Sequence, residues 1–205
     1  MFRTLMTGID IGRDSIRAAV IDYHKRETVL LHCYQVNSSL PLISGDNRLN
    51  LPEISTALKS LKKQLPVMAR QVAISIADNL VIRQQLEVDS NLTQLEEEPV
   101  IMYQFSLNSP LPIDELSIDY VKIEPEEGIN ALSGKVLVLA VRKSELEIRQ
   151  QLMKSAGLKL VYLNSCEISE ITGESDSETK ADKAFVPAIS LACQAARWRQ
   201  GKYVI

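Results

Sequence analysis

The sequence predicts an α/β fold that opens β-β-β-α-β, and three observations carry that prediction. Leu5 to Gly12, Ile16 to Tyr23 and Thr28 to Val36 are rich in β-branched and aliphatic residues and are separated by short polar turns, the pattern of an antiparallel meander. Next, Leu51, Ile54, Leu58, Leu61 and Leu65 recur at helical spacing in a segment that Pro52 opens and Pro66 ends. Val72 to Ala77 then follows as a short aliphatic strand closed by Asp78 and Asn79.

The remaining elements follow in order. Leu80 to Val88 alternates in part, and Asn91 or Thr93 caps a helix carrying Leu95 through Phe105, although Pro99 counts against it. After the punctuation of Pro110 and Pro112, Leu116 to Ile123 and Lys135 to Val141 read as two antiparallel strands joined by a loop with Gly128, Asn130 and Gly134. Ser144 and Glu147 have capping-box spacing, and Ile148, Leu152, Met153 and Ala156 form one apolar helical face that stops at Gly157. Leu158 to Leu163 is the next strand. Residues 167–183 turn to Glu, Ser, Asp, Thr and Lys and read as a flexible linker. Pro187 starts a last helix whose stripe of Ala188, Ala192, Ala195 and Ala196 permits close packing on a sheet, closed by Gly201.

Composition narrows the function classes. With 205 residues, 45% hydrophobic and 24% charged, and a mean hydropathy of -0.03, the chain is neither disordered nor fibrous. A net charge of -3 disfavours a nucleic-acid or acidic-lipid binder on overall electrostatics. Cys33, Cys166 and Cys193 are odd in number and far apart, which argues against a disulfide framework and a zinc site and for a reducing compartment. The first residues lack a secretory apolar stretch, and the longest aliphatic runs, such as Val136 to Val141, are far short of a membrane span. The chain is expected in the cytoplasm, with no direct membrane insertion and any membrane link made through a partner.

Candidate chemistry centres on Gly8-Ile9-Asp10-Ile11-Gly12, which sets an acid at the end of the first strand beside a glycine whose turn offers backbone N–H groups to a phosphate or its Mg²⁺. Simple hairpin chemistry explains the same residues. A nuclease reading places Asp10 and Asp78 at the ends of neighbouring strands, but the other acids at hand, Glu174, Asp176 and Glu178, fall in the linker and the acidic charge opposes DNA. Asp78 with Asn79 is more simply a turn. His32 and Cys33 are adjacent in a strand and point to opposite faces, so they form no dyad; one surface histidine and one buried cysteine is the plainer reading.

The βββαβ order with Ile-Asp-Ile-Gly at its first strand resembles the opening of actin-like ATPase domains and of ribonuclease-H-like nucleases. The string Ile9-Asp10-Ile11-Gly12-Arg13-Asp14-Ser15-Ile16-Arg17-Ala18-Ala19-Val20 resembles more specifically the start of the type IV pilus assembly PilM family, with its HofM-like members. Tyr103 to Tyr120, through Ser109-Pro110-Leu111-Pro112-Ile113-Asp114-Glu115-Leu116, is similar to that family's small inserted α+β subdomain, and Arg142 to Leu158 to its next helix and strand. The likeness covers Leu5 to Asn164 and the closing alanine-rich helix.

That resemblance implies an actin-like, ribonuclease-H-like main subdomain in 1–79, an inserted small subdomain in 80–142, a return to the main subdomain in 143–166, the linker 167–183, and a helix in 184–205 packed on the main subdomain. It implies a cytoplasmic adaptor of a type IV pilus or DNA-uptake apparatus that binds the N-terminal tail of a bitopic inner-membrane, PilN/HofN-like protein, and no nucleic acid directly. The tail is expected in a groove beside the inserted subdomain, at Met102, Tyr103, Phe105, Leu111 and Tyr120. Full-length relatives carry a second actin-like half with the remaining ATP and Mg²⁺ contacts. Here residues 167–183 stand in its place, so Asp10, Gly12, Asp14 and Ser15 are read as a vestigial phosphate loop, without a cofactor or ATP hydrolysis. The competing reading is an actin-like ATPase or ribonuclease-H-like nuclease using Asp10.

Overall fold

The computed structural model describes residues 4–24, 27–45, 48–89, 91–123, 133–165 and 183–199. In chain order the elements are β1 (Thr4–Ile11), β2 (Ser15–His24), β3 (Glu27–Asn37), α1 (Leu51–Gln64), β4 (Gln71–Ile76), β5 (Val81–Asp89), α2 (Gln94–Asn108), β6 (Leu116–Ile123), β7 (Ser133–Arg142), α3 (Lys143–Ser155), β8 (Lys159–Ser165) and α4 (Val186–Arg199). The chain divides into two units, of which the second is Asn79–Glu147 and the first takes the described residues on either side. The expected linker lies outside the described residues, apart from Lys183 in a short 3-10 turn, Lys183–Phe185, that leads into α4.

The first unit is built on a five-stranded sheet in the order β3-β2-β1-β4-β8. β1, β2 and β3 form the antiparallel meander, while β1 with β4 and β4 with β8 pair in parallel. Alternation along the strands divides the core in two. Ile9, Ile16, Ala18, Val20, Val72 and Ile74 meet Ile54, Leu58 and Leu61 of α1 and Leu152 and Met153 of α3. On the opposite face Met6, Ile21, Tyr23 and Ala73 lie under Leu191, Ala192, Ala195 and Ala196 of α4. Burying both faces explains why β4 and the middle of β2, Ala18-Ala19-Val20-Ile21, read as near-continuous apolar runs.

Gly8 decides how close α4 comes. A Cβ at Gly8 would overlap the carbonyl oxygen of Ala188 and stand 2.7 Å from the Ala192 nitrogen, so the strand backbone meets the helix backbone directly. At the other end of the helix Arg199 Nη1 donates to Gln71 Oε1, at the start of β4. The helix therefore runs antiparallel to β1, with its first turn toward the end of the strand that carries Asp10.

The second unit is a three-stranded antiparallel sheet, β5-β7-β6, with α2 packed on it. Its core gathers Leu86, Val88, Leu116, Val136, Val138 and Ala140 from the strands and the fully buried Ile101 and Phe105 from α2. Glu97, also buried, is held by the Lys122 ammonium of β6 at 2.8 Å.

Several expectations are corrected. The helix α3 begins at Lys143, so Ser144 lies inside the first turn rather than capping it. A reciprocal cap is found instead at α2, where the Glu96 carboxylate accepts the Thr93 N–H at 3.0 Å and the Thr93 hydroxyl at 2.7 Å. Those two bonds, the hydroxyl's first, hold the Glu96 carboxyl below its ordinary pKa. Pro99 does not break α2, because the carbonyl deprived of its donor belongs to Leu95, which is exposed to water. Leu152 and Met153 of α3 and Ala156 just after it are buried as expected, but Arg149 is buried and Ile148 is part-exposed. Cys33 is exposed, since β3 is the edge of the sheet and its outer face is uncovered.

Candidate functional site

Parallel pairing brings the carboxyl ends of β1, β4 and β8 to one edge of the first unit's sheet. In an open α/β sheet this is the edge where ligands bind, because the loops that leave the strands converge there. Asp10 stands on it one residue before β1 ends, on the same side of the strand as Gly8 and hence on the side of α4. The start of α4 points toward this edge, and a helix N-terminus favours negative charge.

Asp10 is not a bare carboxylate. It pairs across the hairpin with Arg17, whose Nη1 lies 3.8 Å from Asp10 Oδ2. Arg17 in turn faces Gln35 on β3, with Nε donating to Gln35 Oε1 at 3.3 Å, and Gln35 Nε2 donates to Asn37 Oδ1 at 2.6 Å. A polar row thus crosses three strands on one face. Burial pushes the Asp10 carboxyl above its ordinary value of 3.8, and the opposing attraction of Arg17 is the smaller effect.

The turn after β1 differs from the expected phosphate loop. The Gly12 N–H donates to the Ser15 carbonyl at 3.0 Å, so that amide closes the hairpin and is not offered to an anion. A Cβ on Gly12 would come within 3.3 Å of the same oxygen, which is the reason a glycine suits the position. Arg13 and Asp14 are exposed, and their carbonyls accept the N–H groups of Leu42 at 2.7 Å and Ser38 at 2.9 Å. Ser15 is buried as the first residue of β2. Of the four residues expected to form a phosphate loop, only Asp10 combines burial, a charge partner and a place at the strand edge.

At the end of β8 the Asn164 amide donates to Gln194 Oε1 at 2.5 Å, and Gln194 Nε2 donates to Ser190 Oγ at 3.1 Å. The Ser165 N–H donates to Asn164 Oδ1 at 2.9 Å. This network ties β8 to α4 and engages the Asn164 and Gln194 amides. Asp78 lies in a 3-10 turn, Asp78–Leu80, after β4. Among the described residues no three His, Cys, Asp or Glu side chains are placed to share a metal ion.

The residues expected to meet a partner fall into three groups. Phe105 is fully buried in the core of the second unit, so it supports α2 and presents no surface; its inclusion is corrected. Met102, Leu111 and Tyr120 are half-buried, and Leu111 and Tyr120 pack against that core. Tyr103 is 66% exposed. Leu95 and Leu107, which sequence reasoning passed over, are exposed as well, and with Pro99 and Tyr103 they recur every fourth residue along the outer side of α2. That spacing was visible in the sequence, but an i, i+4 apolar row ordinarily marks a buried face. Arg17 and Gln35 were likewise discernible from the hairpin alternation once the register was known.

The sequence profile of the family described as Type IV pilus assembly protein PilM matches residues 8–169. Among solved structures, one in the PilM-PilN type IV pilus biogenesis complex is similar with a TM-score of 0.63 and 18% identity, over 82% of this chain and 49% of that one. The cytoplasmic domain of EpsL, an inner membrane component of the type II secretion system of Vibrio cholerae, is similar with a TM-score of 0.50 and 11% identity, over 80% of this chain and 58% of that one. At such identities the likeness is one of fold, and the fold is the actin-like, ribonuclease-H-like α/β arrangement that the βββαβ opening implied. The chain spans about half the length of the chain it matches in the PilM-PilN complex. None of the curated proteins matches it.

Proposed function

The chain belongs to the type IV pilus assembly protein PilM family, and from that premise we propose that it is an adaptor of a type IV pilus or DNA-uptake apparatus that binds the cytoplasmic N-terminal tail of a bitopic, PilN-like inner-membrane protein. The observation that carries the reading is the outer side of α2, where Tyr103, Leu107 and Leu95 are well exposed on a helix whose inner side is already fully packed. A helix face with apolar anchors suits a short amphipathic or extended peptide. Tyr103 is the anchor, with Met102, Leu111 and Tyr120 as the half-buried residues able to support the contact.

The proposal includes no ATP hydrolysis. Three features support that part of the reading: the Gly12 amide is engaged within its own hairpin, Asp10 faces Arg17 across the hairpin, and the Asn164 amide is bound to α4. A titration of the purified chain with a labelled peptide comprising the partner's cytoplasmic tail tests the adaptor role; saturable binding is expected, and its absence overturns the proposal. Submillimolar affinity for ATP with Mg²⁺, followed by phosphate release, would overturn the second part alone.

A further inference from the structure

We propose that the edge of the first unit where its helices end is a docking face for an anionic phospholipid surface. The proposal rests on a separation of charge that the overall value hides. Five of the chain's 23 basic residues and 13 of its 26 acidic residues fall in Asn79–Glu147, which leaves that unit at -8 and the remainder at +5. Screening at physiological salt acts over about 8 Å, so a surface responds to the charge set before it and not to the total.

The basic residues of the first unit collect where three helices end. Lys62 and Lys63 lie in the last turn of α1, Lys154 in that of α3, and Arg197 and Arg199 in that of α4. The Lys62 side chain comes within 3.4 Å of the position a Cβ would take on Gly157, which brings the ends of α1 and α3 together. Lys159 donates its N–H to the Arg70 carbonyl at 2.9 Å, and Arg199 reaches Gln71. Every charged side chain in 59–71, 154–159 and 197–199 is basic. Lys62, Lys63, Arg70, Lys154 and Lys159 have no carboxylate partner among the described residues. The Arg70 Nε is buried without a hydrogen-bond acceptor there.

Helix C-termini favour cations by themselves, so basic residues there are ordinary. The apolar residues among them are not. Val67 and Met68 form the tip of a 3-10 turn between Pro66 and Arg70, and they are 71% and 67% exposed. Trp198, its ring tilted 48° from that of Tyr162 with centroids 5.9 Å apart, is part-exposed at the end of α4. Aliphatic residues at a tip, an indole and a ring of lysines match the headgroup boundary of a bilayer, where apolar groups enter and ammonium groups meet phosphates. A nucleic acid would make use of the cations but not of Val67 and Met68. No helix among the described residues is long and apolar enough to cross a membrane, and none is needed for a contact of this depth.

Sedimentation of the 205-residue chain with vesicles of phosphatidylglycerol and phosphatidylethanolamine, against vesicles of phosphatidylcholine, tests the proposal. Binding is expected only to the anionic vesicles and is expected to fall at high salt. Losing one cation near such a surface weakens binding about fivefold, so the pair Lys62→Gln, Lys63→Gln should weaken it roughly 25-fold. The pair Val67→Ser, Met68→Ser should weaken it at unchanged salt dependence, while Tyr103→Ala should bind vesicles normally, which separates this face from the partner site on α2. Failure to sediment with anionic vesicles, or binding that both pairs leave intact, overturns the proposal. A mass that rises with concentration in the absence of lipid, and that the lysine pair abolishes, would assign the face to the acidic unit of a second copy and overturn it as well.

Discussion

Gly8 and Ala188 touch backbone to backbone: a side chain on Gly8 would occupy the place of the Ala188 carbonyl oxygen. The contact sets the depth of α4 on the sheet. It therefore also sets the height of the helix N-terminus beside Asp10. Relief would require moving the whole helix, since the obstructing atoms are main chain and cannot rotate away. Gly8→Ala should accordingly destabilise the protein by more than the usual overpacking cost of about 1–3 kcal/mol. Gly45→Ala, at a position with nothing within 4 Å of an added Cβ, should change little. Thermal melts of the two variants check this; similar melting temperatures would show that α4 does not sit where Gly8 requires.

Asp10 should reduce stability at neutral pH. Its carboxyl is pushed above 3.8 by burial, so between that value and the raised one the folded protein holds more protons than the unfolded chain. Stability then falls as pH rises through the window and stays lower above it. Asp10→Asn removes the penalty and leaves Arg17 its Gln35 acceptor. The variant should melt higher than wild type at neutral pH, with the gap closing as pH falls below the ordinary carboxylate range. A gap that widens toward acid would mean that Arg17 outweighs burial. Under the adaptor reading, Asp10→Ala should also leave binding of the partner's tail unchanged, which the peptide titration measures.

Tyr103 and Phe105 lie two residues apart on α2 with opposite fates, one exposed and one fully buried. Tyr103→Ala should weaken binding of the partner's tail by about tenfold at a nearly unchanged melting temperature. Phe105→Ala should cost about 3–5 kcal/mol of stability through the cavity it leaves. Equal destabilisation by both variants would show that Tyr103 is packed in solution and would remove it as an anchor.

The Glu97–Lys122 pair fastens α2 to β6 with the carboxylate buried and the ammonium largely exposed. Lys122→Met leaves a buried carboxylate without its cation and should cost about 1–3 kcal/mol. Adding Glu97→Gln should recover part of that loss, because the stranded charge is gone. A denaturant series on the two single variants and the double variant measures the coupling; strictly additive losses would show that the pair contributes nothing.

The sequence by itself determined the elements and their order. Alternating apolar residues in 5–36, the helical period from Leu51 to Leu65, and the prolines and glycines that end these runs are local signals, because each reports a backbone's preference and one face of its own burial. It also carried the alanine stripe of α4 and the Ile-Asp-Ile-Gly string from which the family was recognised. Sheet order and hydrogen-bond register settled the rest, since they join residues that no local pattern relates. Arg17 faces Asp10 in the register of the hairpin that Gly12 closes on Ser15, and the same bond withdraws the amide that a phosphate loop would present. Cys33 is exposed because β3 became an edge strand, and Phe105 rather than Tyr103 is core because the β5-β7-β6 sheet covers only one side of α2. The net charge of -3 was legible from the start, but the gathering of basic residues at the edge that carries Val67 and Met68 was not: Lys62, Lys63, Lys154, Arg197 and Arg199 come from three helix ends far apart in the chain, and only packing on one sheet brings them to one edge.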